Sequence, residues 1–135
     1  MNRRVKMVSV GVLAMVLTAC SGLGEPRESG KTVDELLAEN NLRITEETSH
    51  LVNFNIRGLQ YINRQNVVLE DGPRTKYLVE LNNPCPNLQF AQRIGFTSYG
   101  RMVRKSDYIV VTDAPGRIER CMIRTFYNLE KIPGQ

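Results

Sequence analysis

The sequence is poor in the residues from which metal centres are usually built. Its 135 residues contain one histidine, three cysteines and no tryptophan. Zinc sites draw three or four ligands mainly from histidine and cysteine, yet His50 is the only histidine and no two cysteines have the C-x-x-C spacing. We therefore predict no metal site and no cofactor.

The usual signatures of catalysis are also missing. The sequence contains no phosphate-binding loop, no H-E-x-x-H and no G-x-S-x-G. Ser49 directly precedes His50, but neighbouring side chains on a strand point to opposite faces, so the sequence does not place them as nucleophile and base. The acidic pairs at 46–47 and 70–71 fall in expected turns and caps, where solvation explains them. We predict no catalytic residue and no enzymatic activity.

No apolar run is long enough to cross a bilayer. The longest spans residues 7–17, about 11 residues, whereas a transmembrane helix needs about 20. Three basic residues precede this run, and L-T-A-C at positions 17–20 closes it. This order predicts a bacterial lipoprotein signal peptide over residues 1–19, with Cys20 taking a diacylglycerol before cleavage makes it the first residue. A transmembrane helix and a simple cleaved signal are the alternatives.

Excess charge of one sign disappears once the signal is set aside. The whole chain has 18 basic and 14 acidic residues, a net charge of +4. Three of the basic residues and none of the acidic ones precede Cys20, so a chain beginning there has a net charge of +1. Nucleic-acid binding needs a clear positive excess. We therefore predict no nucleic-acid partner.

The two remaining cysteines, Cys85 and Cys121, form an even pair in a compartment that is oxidising. Such pairs favour a disulfide in small secreted domains. The bond would close a loop of about 36 residues and contribute roughly 3.5–4 kcal/mol in the chain-entropy treatment. A redox or metal pair is the alternative, and the absence of C-x-x-C spacing argues against it.

The mature chain divides into three parts. Residues 20–31, rich in glycine and charge, form the lipidated cysteine and a flexible tether, which would hold the domain about 18 Å from the membrane. Residues 32–49 are predicted as a short helix and a connector, with Thr32 and Glu35 forming a capping box. Val33, Leu36 and Leu37 make an apolar stripe on this helix, which we expect to dock on its own domain rather than on another protein. Residues 50–135 form a small β domain.

Alternating apolar residues in the last part predict six short strands. Gly58 interrupts the first and suggests a bulge, and Asp71-Gly72 marks a hairpin. The fold class is therefore mainly β, a small six-stranded antiparallel barrel or sandwich with a short N-terminal helix and a single disulfide. One helical turn is expected over 88–93. Phe126, Tyr127 and Leu129 are expected to cover an open end. The strands fall near residues 54–61, 67–69, 77–81, 94–97, 108–112 and 118–124.

Four short segments together resemble a family of small bacterial envelope proteins. They are Y-L-V-E-L at 77–81, C-P-N-L at 85–88, I-G-F at 94–96 and C-M-I at 121–123. The family is a domain of unknown function whose members often carry lipoprotein signals. The resemblance covers about residues 50–130, implies a compact disulfide-bonded β domain and assigns no activity. Many members have a further cysteine at each of two places that correspond to positions near His50 and Arg104, and this chain has neither.

One segment has the residue types that bind anions. Tyr99, Arg101, Arg104 and Lys105 lie close together between two predicted strands. Arginine forks suit phosphate and carboxylate groups, so the four residues are a candidate site for lipid phosphate or a glycan acid. The alternative, which we favour, is a solvated hairpin whose cations protect an edge strand.

These features predict a lipid-anchored envelope protein that acts as a non-catalytic interaction or structural module. Its partners would be the membrane, through the lipid anchor, and an envelope protein of unknown identity. The alternative function is binding of a small anionic envelope ligand. By resemblance to enterobacterial lipoproteins, Ser21 rather than aspartate after the lipidated cysteine favours the outer membrane, with the domain facing the periplasm.

Overall fold

The computed structural model describes residues 30–52, 55–98 and 100–134. The predicted signal peptide, Cys20, nearly all of the tether and Tyr99 lie outside the described residues. No helix in the described part is long and apolar enough to span a bilayer. The elements are α1 (Val33–Glu39), β1 (Leu42–Thr48), β2 (His50–Val52), β3 (Ile56–Asn63), β4 (Asn66–Asp71), β5 (Thr75–Leu81), a 3₁₀ helix (Pro86–Phe90), β6 (Arg93–Phe96), β7 (Met102–Arg104), β8 (Tyr108–Thr112) and β9 (Ile118–Lys131).

The fold is mainly β, as predicted. An antiparallel sheet of seven strands curls into half of a barrel: six strands follow the order β3-β4-β5-β9-β8-β6, and β1 joins the sheet by pairing with β9. The central strand β9 pairs along one edge with β5. Its other edge pairs first with β8 and then, from residue 126 onward, with β1. The two shortest strands, β2 and β7, form a separate two-stranded sheet.

Both faces of the sheet are covered near β4, which explains its continuous apolar run. Val67, Val68 and Leu69 are all fully buried although their side chains alternate between the faces. One face carries the larger hydrophobic cluster, which includes Phe126 and the disulfide. The other is covered by α1, whose Leu37 is fully buried. The cluster beneath α1 comprises Leu37, Leu42, Ile62, Val68, Leu78 and Leu129.

Several local predictions are confirmed. The Thr32–Glu35 capping box begins α1, and the helix docks on its own domain. The pairing of β3 with β4 shifts register between Ile56 and Gly58, which is the expected bulge. The hairpin at Asp71-Gly72 joins β4 to β5, and Gly72 has a φ of 71°. The helical turn expected at 88–93 lies slightly earlier, at Pro86–Phe90.

Two predictions about the ends of the domain are wrong. The segment expected as a connector contains β1, because β9 supplies a pairing partner that residues 42–48 do not reveal by themselves. The last strand continues to Lys131 rather than stopping near residue 124. Phe126, Tyr127 and Leu129 therefore do not cover an open end. They are part of β9, and each pairs with β1 or β5.

Candidate functional site

The predicted disulfide joins Cys85 to Cys121, whose Cα atoms are 6.0 Å apart. Cys85 immediately precedes the 3₁₀ helix and Cys121 lies in β9. Both are buried in the larger hydrophobic cluster. The bond therefore attaches the connection between β5 and β6 to the central strand.

Glu119 lies beside this disulfide, and one ligand atom from each of the three residues falls within 4.8 Å of the others. Metal binding by cysteine requires thiolates, and here the two sulfurs are bonded to each other. The Glu119 carboxylate accepts a hydrogen bond of 2.9 Å from the backbone N–H of Asn87. In this oxidised form the cluster anchors the 3₁₀ helix to β9.

Three of the four residues of the predicted anion patch lie in the described part of the chain, and Tyr99 lies outside it. Arg101 and Arg104 are exposed, and neither forms an ion pair with a described residue. The Arg104 Nε donates to the sulfur of Met102 at 3.2 Å. Lys105 is not free, because its Nζ lies 2.7 Å from a carboxylate oxygen of Glu47.

Glu47 links β1 to Lys105 and to β9, a role that the sequence did not reveal. Besides the ion pair with Lys105, it accepts a hydrogen bond of 2.7 Å from the hydroxyl of the buried Thr125. The hydrogen bond from Lys105, followed by that from Thr125, lowers the pKa of the Glu47 carboxyl. These contacts join β1, β9 and the loop after β7.

The loop after β7 is stabilised by hydrogen bonds, one of which is made by the side chain of its own Asp107. The Asp107 carboxylate accepts a hydrogen bond of 2.8 Å from the backbone N–H of Arg104. The backbone of Ile123 in β9 bonds to Ser106 and Asp107 at 3.0 and 2.8 Å. In the described part of the predicted patch, Arg101 and Arg104 are exposed without an ion pair, Lys105 is paired with Glu47, and the loop is bonded to the central strand.

Ser49 and His50 do meet, contrary to the sequence argument. The serine Oγ and the histidine Nδ1 are 3.0 Å apart, because Ser49 lies at the bend between β1 and β2 rather than within a strand. Both residues are exposed. A catalytic base is normally oriented by a third group, and no carboxylate among the described residues is bonded to this imidazole.

A cationic pocket, which no sequence pattern indicates, lies beside the β4–β5 hairpin. This pocket, called the hairpin pocket below, has a volume of about 240 Å³. Four of its lining side chains are basic and one is acidic. It adjoins a wider hollow of about 540 Å³ along β5 and β9, with which it shares Arg74, Lys76 and Leu129. The residues lining the hairpin pocket are Leu42, Arg57, Glu70, Gly72, Pro73, Arg74, Lys76, Leu129 and Lys131.

Comparison with protein families matches residues 3–132 to DUF6491, described as a family of unknown function. Comparison with curated proteins and with solved structures gives no significant match. The predicted membership of an uncharacterised family is therefore confirmed. The match covers nearly the whole chain, so it includes every element of the fold described above.

Proposed function

This chain belongs to DUF6491, and because that family has no known function, we propose a function from the residues of the chain itself. The protein is a lipid-anchored envelope protein whose β domain acts as a non-catalytic interaction or structural module. The observation that carries the proposal is the buried disulfide between Cys85 and Cys121. Structural disulfides persist in oxidising compartments outside the cytoplasm. The signal pattern that ends at Cys20 would deliver the chain to such a compartment.

The position of α1 supports this arrangement. The helix begins at Val33, directly after the tether, and its Leu37 is buried against the sheet. The β domain is therefore attached to the tether through an element that is packed on it. A tether of about 12 residues would keep the domain within reach of the membrane surface and of envelope proteins.

Metabolic labelling and mass analysis test the lipid anchor. The full chain is expressed in a bacterium with an outer membrane, supplied with a clickable fatty acid. We expect a labelled protein that begins at Cys20 and carries a diacylglycerol, and the label should be lost in Cys20→Ala. The matched control is the double variant Cys85→Ala/Cys121→Ala, which also replaces cysteines by alanine but should keep the label. An unmodified amino terminus, or a chain that still begins at Met1, would overturn the proposal.

Membrane fractionation tests the location. The wild-type chain should be found with the outer membrane. Ser21→Asp should move it to the inner membrane, and Ser21→Ala should leave it in place. Equal distribution of all three between the two membranes would contradict the proposed sorting.

A second candidate function is binding of a small anionic envelope ligand at Arg101 and Arg104. The observation that favours it is that both guanidinium groups are exposed and form no ion pair with a described residue.

The mature protein in neutral detergent micelles is titrated with phosphatidylglycerol, and amide NMR signals of residues 101–105 are followed. Arg101→Glu/Arg104→Glu should abolish the shifts, whereas the control Arg93→Glu/Arg120→Glu should preserve them. Shifts that survive the first double variant would exclude this site.

A further inference from the structure

The hairpin pocket concentrates positive charge, only part of which is paired with a carboxylate of the described residues. Its basic side chains are Arg57, Arg74, Lys76 and Lys131, and its one carboxylate is Glu70. Glu70 forms an ion pair with Lys76. The other three basic residues form no ion pair with a described residue. The lining therefore has an excess of three positive charges.

The fold keeps the carboxylate of Glu70 in place on Lys76. The two residues are cross-strand neighbours on β4 and β5. Glu70 lies against Gly58, where a Cβ atom would be only 2.8 Å from the carboxylate oxygen Oε2. The absence of a side chain at Gly58 thus provides the space that Glu70 occupies beside Lys76.

Part of the lining of the hairpin pocket is apolar. Leu42 and Leu129 are buried there at the ends of β1 and β9, and Pro73 adds an apolar wall from the hairpin. Electrostatic attraction is stronger beside apolar groups that exclude water than in open solvent. The volume of about 240 Å³ is below the roughly 300–1,000 Å³ of sites for drug-sized ligands. These properties suit a small group with more than one negative charge.

We propose that the hairpin pocket binds a phosphate group through Arg57, Arg74 and Lys131. Guanidinium forks match the tetrahedral oxygens of phosphate, and a lysine supplies a further point charge. A phosphate monoester has up to two negative charges, which three cations can neutralise, whereas a carboxylate has only one. The phosphate can belong to a lipid head group or to a soluble phosphate ester. The proposal does not depend on the lipid anchor, because all its residues lie in the described domain.

The test uses the mature full-length protein in neutral detergent, followed by amide NMR. The probes are inorganic phosphate, short-chain phosphatidic acid and short-chain phosphatidylcholine. We expect saturable shifts at Arg57, Gly72 and Arg74 with the first two. Tighter binding of phosphatidic acid than of inorganic phosphate would identify a lipid source, and equal binding a soluble one. Equally tight binding of phosphatidylcholine would overturn the proposal, because it would show recognition of lipid rather than of free phosphate charge.

Two triple variants distinguish phosphate binding in the hairpin pocket from nonspecific attraction to positive charge on the protein surface. Arg57→Gln/Arg74→Gln/Lys131→Gln should weaken binding of inorganic phosphate by at least about tenfold. The matched control Arg93→Gln/Arg120→Gln/Arg124→Gln removes the same charge at exposed arginines outside the hairpin pocket and should bind like wild type. Equal loss in both triple variants, or loss in the control alone, would overturn the proposal.

A variant that binds phosphate more tightly than wild type would show that changes in phosphate binding do not arise from misfolding. Glu70→Gln removes the carboxylate that the described residues contribute to the hairpin pocket, and it releases Lys76 to contact the ligand. It should bind inorganic phosphate several-fold more tightly, which a disrupted fold would not do. Unchanged or weaker binding by Glu70→Gln would contradict the assignment.

Discussion

Glu47 illustrates how a single residue can act through tertiary partners. It is one of two adjacent glutamates on β1, and the sequence distinguishes it from Glu46 in no obvious way. In the structure Glu47 accepts hydrogen bonds from Lys105 and Thr125, which lie far along the chain. Glu46 instead lines the hollow along β5 and β9. The difference follows from the alternation of side chains along a strand.

The lowered pKa of Glu47 predicts acid sensitivity. A carboxyl whose pKa in the folded state lies below its ordinary value near 4.5 stabilises the fold above that value. The contribution is lost as the pH falls from about 4.5 through the folded-state pKa. Thermal unfolding between about pH 3 and pH 6 should show a smaller decrease in Tm at low pH for Glu47→Gln than for wild type.

Glu46→Gln is the matched control for this measurement, since it removes the same charge from the neighbouring residue. It should retain the wild-type pH dependence. Glu35, whose pKa is lowered by hydrogen bonds with Thr32, remains in both variants and accounts for part of the residual slope. Identical pH profiles for Glu47→Gln and Glu46→Gln would contradict the role of the Lys105 and Thr125 contacts.

At the scale of elements, the short ladder of β2 and β7 positions the loop that carries the two exposed arginines. His50 lies directly opposite Arg104 in this ladder. The backbone N–H of Lys105 donates to the carbonyl of Ser49 at 3.2 Å, which makes His50 and Arg104 a non-hydrogen-bonded pair. Such pairs have Cα atoms about 4.5 Å apart, within the range that a disulfide spans. The resemblance to envelope proteins placed additional cysteines near these same two positions.

The double variant His50→Cys/Arg104→Cys should therefore form a second disulfide. We expect it to raise the free energy of unfolding by about 2–4 kcal/mol under oxidising conditions. Peptide mapping should find this bond together with the native one, and denaturant titration measures the stability.

The control for this cross-link is His50→Cys/Met102→Cys, because Met102 lies opposite Val52 rather than His50. Its new cysteines should remain as free thiols. Free thiols in His50→Cys/Arg104→Cys as well would show that the register of β2 and β7 differs from the one described.

Across the whole molecule, β9 is the element to which the other parts attach. It is 14 residues long and pairs with β1, β5 and β8. Cys121 on this strand is bonded to Cys85, which lies between β5 and β6. The strand and the disulfide together connect β1, β5, β8 and the segment that leads from β5 to β6.

Removal of this disulfide should destabilise the entire domain. Cys85→Ala/Cys121→Ala should lower the free energy of unfolding by about 2–5 kcal/mol, because it releases a loop constraint and leaves space in the core. Chemical denaturation of the purified protein measures this. Cys20→Ala, which changes a cysteine outside the described domain, should leave the stability unchanged. A loss of less than about 1 kcal/mol in the double variant would contradict the structural role.

Local residue patterns were enough to predict much of the fold. The capping box at Thr32 depends on residues three positions apart, and the hairpin at Gly72 depends on the conformational freedom of one residue. The alternation over 77–81 predicted β5 because Tyr77, Val79 and Leu81 lie on one side of that strand and pack in the larger hydrophobic cluster. Even the disulfide followed from counting cysteines, since only two remained to pair.

Local residue patterns predicted the candidate sites less well than they predicted the fold. Lys105 belongs to the candidate anion site named from the sequence, where the favoured interpretation was a solvated hairpin, and in the structure Glu47, 58 positions away, forms an ion pair with it. The hairpin pocket was missed because its basic residues come from separate strands and show no cluster in the sequence. Charge that is dispersed along a chain can be concentrated, or neutralised, only when strands pair.

The sequence by itself determined which segments form turns, caps and apolar strand faces, because these properties depend on residues a few positions apart. Only the tertiary structure decided that β1 is a strand. Much of this segment is exposed, and its Arg43 contacts Glu130, 87 positions away, across the ladder to β9. The same long-range pairing decided which cations face an open pocket and which face a carboxylate. Contacts of that kind leave no local pattern, since the free energy that forms them comes from partners that are distant in the chain.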